Sequence, residues 1–306
     1  MDLYNKIIII DGGMGRELEA QGASIDPPLW SANAFYTNPD IVKKVHKSFI
    51  AAGASVITAN TYAITQYHLK NANKSDDQLE LLDLAYKKAR QARDETNSNV
   101  RVAASLPPLS ESYRADLVLD DELLEQEYTL LIDQAIKHQV DILLGETLSQ
   151  AKEARIITKI AQKTDIPLWI SFTVNETGNL RSGESLRDVA KELICHGVEA
   201  LLVNCSTMQN IHSSIDIFQK LGQEFTFQYG AYGNRYSEIR KDYKLVLKST
   251  AINEEILPAQ YTDAVKSWTL KGASIVGGCC GIGPEYIKHI KQNINSDFGE
   301  KLKHHP

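Results

Sequence analysis

The sequence predicts a single (β/α)8 barrel, a TIM barrel with extended strand-to-helix loops at its C-terminal face. Three observations carry this. Short apolar runs alternate with longer helical patterns eight times along the 306 residues. The runs are almost continuously apolar, as strands of a parallel sheet buried on both faces are. The helix-to-strand joints are short and several strand-to-helix segments are long, the asymmetry of a barrel that carries its site on the strand C-terminal side. An open doubly wound sheet also alternates but accounts for eight units less simply.

The strands are expected at 7–11, 55–60, 100–106, 140–146, 168–173, 200–205, 225–229 and 274–278. Between the first two, Ile41, Val45, Phe49 and Ala52 recur at helical spacing, and Asn38-Pro39 supplies a cap and a first-turn proline. Leu82, Ala85, Tyr86 and Ala89 make a second stripe; Leu124, Tyr128, Leu131 and Ala135 make a third. Further helices follow Ser149, Ser185, Met208, Pro258 and Pro284. At three joints a glycine (Gly53, Gly197, Gly272) stands where a helix ends in a left-handed cap before the next strand, and Gln139-Val140-Asp141-Ile142 repeats the joint without it. The longest strand-to-helix segments, 61–77, 107–121 and 230–257, are expected at the barrel mouth. One domain is expected over 1–299, followed by a disordered tail at 300–306.

The 43% apolar content is enough for a full core. A formal charge of −6 leaves no basic excess to replace phosphate counterions, so nucleic acid is not an expected partner. No stretch is long enough to cross a bilayer, and Asp11 interrupts the only early apolar run, so neither membrane nor signal peptide is expected and the chain is placed in the cytoplasm. Four cysteines are too sparse for a disulfide scaffold and point to metal or catalytic use.

In a barrel the strand ends converge. Here they are Asp11, Asn60, Ser105, Glu146, Ser171 or Phe172, Cys205, Tyr229, and Cys279 with Cys280. Three thiols at the ends of two strands suggest zinc held by three protein ligands with the fourth position open. Adjacent residues of a strand point to opposite faces, so Cys279 and Cys280 need a bent backbone, which Gly277, Gly278 and Gly281 permit. Simple packing and a redox pair are the competing readings. Cys195, within a helix, reads as core. His46, His68, His138 and His212 read as surface or packing.

Asp11, in Asp11-Gly12-Gly13-Met14-Gly15, reads either as a turn residue or as a carboxylate that receives an ammonium group. The spacing is not a dinucleotide fingerprint, and an acid there repels a pyrophosphate. Glu146 closes a buried strand, which is costly unless it is paired. Two acids in one mouth suit a primary amine.

Asp11-Gly12-Gly13-Met14-Gly15, Asn204-Cys205 and Gly277-Gly278-Cys279-Cys280-Gly281 together resemble the homocysteine S-methyltransferase family, of the S-methylmethionine-dependent type. Thr58-Ala59-Asn60-Thr61-Tyr62, Leu144-Gly145-Glu146-Thr147 and Trp169-Ile170-Ser171-Phe172-Thr173 support the resemblance, which spans nearly the whole chain. It implies one Zn2+ per chain on Cys205, Cys279 and Cys280, with the homocysteine sulfur as fourth ligand. It implies that Asp11 and Glu146 hold the substrate's amino group, with Gly12 and Ser171 also on the substrate. Tyr62 matches a tyrosine near the metal in some members that takes the fourth position without substrate, and Asn204 would orient its neighbouring cysteine. The implied reaction moves a methyl group from a small onium donor to homocysteine, giving methionine. The folate-to-cobalamin route of related enzymes needs further domains, so S-methylmethionine is the first donor expected, S-adenosylmethionine the second and betaine the third. Two departures stand out. Arg16 replaces a usual Thr, and the segment from Tyr229 to Tyr236 replaces a usual Tyr-Pro-Asn-x-Gly-Glu. The alternative function is a barrel lyase or aldolase, or a redox protein, using the cysteines as a structural metal or thiol site; no lysine ends a strand, which counts against it.

Overall fold

The computed structural model describes residues 7–236 and 251–294. Eight parallel strands, β1 (Ile8–Ile9), β2 (Val56–Thr58), β3 (Arg101–Leu106), β4 (Ile142–Leu148), β5 (Leu168–Phe172), β6 (Ala200–Asn204), β7 (Gln228–Gly233) and β8 (Ile275–Gly278), pair in the order β1-β8-β7-β6-β5-β4-β3-β2. A parallel bridge from Ile10 to Val56 joins the first strand to the second and curls the sheet into a (β/α)8 barrel.

The helices are α1 (Met14–Ala20), α2 (Asn33–Thr37), α3 (Pro39–Ala52), α4 (Gln66–Asn71), α5 (Gln78–Thr96), α6 (Asp121–Lys137), α7 (Ala151–Ala161), α8 (Leu186–Cys195), α9 (Met208–Leu221), α10 (Pro258–Leu270) and α11 (Pro284–Asn293). Of these α3 and α5 to α11 form the outer ring, while α1, α2 and α4 lie within strand-to-helix connections. Their starts follow local chemistry. The side chains of Asp120, Ser185 and Thr207 accept from the backbone N–H of Leu123, Asp188 and Asn210 at 3.0, 3.3 and 3.2 Å, caps worth about 0.5–2 kcal/mol each. Their ends follow backbone freedom. Gly53, Gly197 and Gly272 take φ of 109°, 87° and 96°, and Gln139 takes the same left-handed turn at 51° without a glycine's ease.

Strand alternation builds two cores. Val56, Leu144, Trp169, Leu202 and Ile275 point inward and fill the barrel. Ile57, Leu143, Ile170, Leu201 and Val276 point outward against the helices. Below the inner plug, Trp169 Nε1 donates to Glu199 Oε1 at 3.0 Å and the Arg101 guanidinium covers its ring at 5.2 Å.

Three expectations need correction. The seventh strand is not 225–229 but Gln228–Gly233; its glycines conceal it, yet Gly230 is required because a Cβ there would lie 1.7 Å from the Ile275 carbonyl oxygen on β8. The fourth strand runs on past Glu146 to Leu148, with a register shift between Gly145 and Leu148. Cys195 is the last residue of α8 and is exposed, not core. The expected tail at 300–306 lies outside the described residues. No helix among the described residues is long and apolar enough to cross a membrane.

Candidate metal centre and active site

Cys205, Cys279 and Cys280 meet at the C-terminal mouth of the barrel, with their sulfurs all within 4.8 Å of one another. Cys205 Sγ lies 2.7 Å from Cys279 Sγ and 3.6 Å from Cys280 Sγ. Two local devices bring them together. Cys205 leaves β6 with a left-handed φ of 47°, which turns its side chain back over the strand end. After β8 the chain turns tightly, Ile282 N–H donating to the Cys279 carbonyl at 3.0 Å, with Gly281 at φ 82°. The opening loop packs onto this turn: a Cβ on Gly13 would lie 2.6 Å from the Cys279 carbonyl oxygen, and one on Gly12 would lie 2.1 Å from that of Ile282.

The three thiols do not share their protons evenly. Burial holds the Cys205 thiol well above the usual range, and the contact with Cys205 does the same for Cys279. Hydrogen bonds from Cys205 and Cys279 pull Cys280 well below it. A soft cation would take all three sulfurs as thiolates, so its binding would release protons. Among the described residues no His, Asp or Glu joins the three sulfurs, a set that could hold a soft metal ion and leave a position for a further ligand.

The two acids lie beside the thiols. Asp11 accepts from Thr58 N–H at 2.9 Å and from Thr58 Oγ1 at 3.2 Å. Glu146 accepts from Ser105 Oγ at 2.5 Å and from Tyr232 Oη at 3.2 Å. Burial pushes Asp11 up to about 8 and Glu146 up to about 7, the first being raised further by the second. No Lys or Arg forms a salt bridge to either acid among the described residues, so an incoming ammonium would find both in need of a positive charge.

Asn204 and Ser171 stand behind the cavity wall, not on it. Asn204 Oδ1 accepts from Ser171 Oγ at 2.8 Å and from Thr147 N–H at 2.9 Å, while its Nδ2 donates to Thr147 Oγ1 at 2.8 Å and points toward Cys279 Sγ at 4.0 Å. This network fixes both the bulged turn after Glu146 and the approach of Cys279. Tyr62 lines the cavity, but its hydroxyl bonds to Ser112 Oγ at 2.7 Å. A phenol that does reach a thiol is Tyr113, donating to Cys205 Sγ at 3.0 Å.

Tyr113, Tyr232, Tyr236 and His68 all line the cavity; the sequence places Tyr232 and Tyr236 only within the stretch that departs from the family motif and reads His68 as surface or packing, where the structure buries it with Nδ1 at 2.8 Å from Thr65 Oγ1. Tyr113 comes from the long loop after β3, whose length was the only sequence signal. Tyr232 replaces Tyr229 as the inward tyrosine of β7. Tyr229 instead packs at 5.5 and 5.9 Å from the Phe227 and Phe218 rings and donates to the Lys271 carbonyl at 2.6 Å. The cavity measures about 200 Å³. Four of its residues, Trp30, Tyr113, Thr147 and Cys205, are among the six non-glycine residues with positive φ in the described chain; backbone strain of this kind concentrates at functional sites.

The profile of the homocysteine S-methyltransferase family matches residues 8–294. Homocysteine S-methyltransferase 1 of Zea mays is 31% identical, over 95% of this chain and 95% of its own. A selenocysteine methyltransferase of Astragalus bisulcatus is 26% identical, over 94% of this chain and 92% of its own. Among solved structures, the metallated form of the homocysteine methyltransferase MmuM from Escherichia coli superposes with a TM-score of 0.78 at 24% identity, covering 94% of this chain and 96% of the other.

Proposed function

The chain belongs to the homocysteine S-methyltransferase family, and from that premise we propose that it transfers a methyl group from S-methylmethionine to a zinc-bound homocysteine, giving methionine. The observation that carries this reading is the juxtaposition, in one cavity, of three converging thiols with two buried acids lacking a salt bridge among the described residues.

Cys205, Cys279 and Cys280 would hold the ion. When bound there, zinc would keep the substrate thiol, whose ordinary pKa is about 8.5, ionised at neutral pH. Asp11 and Glu146 would receive the ammonium group, ionising as it arrives because an adjacent cation favours their charged form. With sulfur and ammonium both fixed, the substrate has little freedom left, and orientation of this kind supplies much of the rate. The thiolate sulfur attacks the donor methyl in line. The sulfonium C–S bond breaks and its electron pair stays on the departing neutral thioether. An anion meets a cation, so charge falls in the transition state, which a low-dielectric cavity favours. No general base is needed. S-adenosylmethionine is the second choice of donor.

The test is elemental analysis together with a thiol-consumption assay on homocysteine with S-methylmethionine, S-adenosylmethionine and betaine in turn. Roughly one zinc per chain and fastest loss of thiol with S-methylmethionine are expected. A metal-free but active protein would overturn the zinc assignment; fastest turnover with another donor would overturn the donor.

A further inference from the structure

Two amino-acid substrates bring two carboxylates into the cavity. Among the described residues that line it, Arg16 is the only Lys or Arg, and burial holds the one lining histidine, His68, neutral with its pKa pushed down to about 4. A carboxylate drawn out of water requires a partner, so the position of Arg16 decides which carboxylate is served.

Asp11 and Glu146, at 3% and 9% exposure, lie on the floor, whereas the Arg16 side chain is 23% exposed and lies at the rim. Homocysteine, held by sulfur and ammonium, occupies the floor. The donor must approach from the solvent side to present its methyl group to that sulfur, so the rim belongs to the donor. Arg16 acts on Cys280 electrostatically and hydrogen-bonds Tyr236, which in turn bonds Cys280. Arg16 and Tyr236 come from the two stretches where the sequence departs from the family's usual motifs, and here they touch.

Resting on the functional reading above, we propose that Arg16 determines donor specificity: its guanidinium receives the donor's carboxylate and selects onium donors that carry one. Arg16 Nη1 already donates to Glu19 Oε2 at 2.7 Å, but Glu19 is 51% exposed. Such a rim pair is weak, and a guanidinium has N–H groups to share with a second carboxylate. The arrangement discriminates in both directions. A fixed cation at the rim repels a bare onium group, and the same cation attracts one whose carboxylate pairs with it.

The experiment compares S-methylmethionine with its methyl ester as donors to homocysteine, using zinc-loaded protein and the variants Arg16→Gln and Arg16→Lys, each checked for unchanged zinc content and circular dichroism. The unaltered protein is expected to prefer the free acid. Arg16→Gln is expected to lower kcat/KM for the acid about 10- to 100-fold, the scale of a lost charge-assisted hydrogen bond, while the ester moves by less than about threefold. Arg16→Lys is expected to keep part of the preference, with the homocysteine KM unchanged in both variants. An active protein in which Arg16→Gln slows both donors equally overturns the inference alone. So does a rise in homocysteine KM with either donor, which would assign Arg16 to the homocysteine carboxylate. An unaltered protein that uses neither donor overturns the functional reading and this inference with it.

Discussion

The lower and upper layers of the barrel interior are built by the same strands and obey opposite rules. Below, Ile10, Ala103, Leu144, Trp169 and Leu202 pack into an apolar plug. One or two residues further along, the inward positions become Asp11, Ser105, Glu146, Ser171 and Asn204, all buried. Positive φ at Thr147 and Cys205 follows immediately after two of these strand positions. The plug supports the strand ends, and the mouth holds polar groups and strain that no isolated loop would retain. Stability and chemistry are therefore separable by height along the barrel axis.

Mutations can test that separation. The largest effect is expected from Cys280→Ser, which should lose zinc and lower kcat more than about 100-fold, since even residues that only support metal ligands cost 10- to 100-fold. Its melting temperature in the metal-free state should match that of the metal-free parent; near-stoichiometric zinc in this variant would remove Cys280 from the ligand set. Next is Trp169→Ala in the plug. It should cost about 3–5 kcal/mol of stability by denaturant titration, while the folded fraction keeps its zinc and its homocysteine KM. A disproportionate loss of zinc would show that the two layers are coupled.

Glu146→Gln should act in the mouth alone, raising homocysteine KM about 10- to 100-fold through the lost charge-assisted contact with little change in donor KM. Equal effects on both would remove its amine-binding role.

The smallest effect concerns pH. Burial raises Asp11 from 3.8 to about 8 and Glu146 from 4.5 to about 7, so the folded protein binds more protons than the unfolded chain between those limits. The stability from these groups is complete below their unfolded values and is lost as pH rises through 7 and 8. The substrate-free protein should melt lower at pH 8 than at pH 5.5, by about 2–4 °C for each kcal/mol lost. Homocysteine should reverse part of that slope, because its ammonium favours the ionised acids. A melting temperature independent of pH in Asp11→Asn/Glu146→Gln would assign the slope to this pair.

Much of this was legible in the residues themselves. Eight apolar runs with glycine at the joints specify a barrel because each signal is local. A buried strand needs apolar side chains, and the left-handed caps at Gly53, Gly197 and Gly272 are easiest for glycine. Cysteines and acids are visible at strand ends because they are costly there without a partner. Where local signals are weak, the residues mislead. β7 carries three glycine or alanine residues in a row of four, which hides its true extent and makes Tyr229, not Tyr232, look like the inward residue. Cys195 sat in a good helical pattern, but nothing in that pattern showed that the stripe ended one residue short of it.

The sequence alone determined the barrel, the three sulfurs and the two acids, because each is a property of a short segment and its place in the alternation. Only the tertiary structure decided which tyrosine faces the cavity, since that depends on the register of β7 between β6 and β8. The same holds for Tyr113 on Cys205, Asn204 bridging two turns, and Arg16 against Tyr236. Those contacts join residues from 57 to 220 positions apart, and only closure of the sheet into a barrel brings such segments to one mouth.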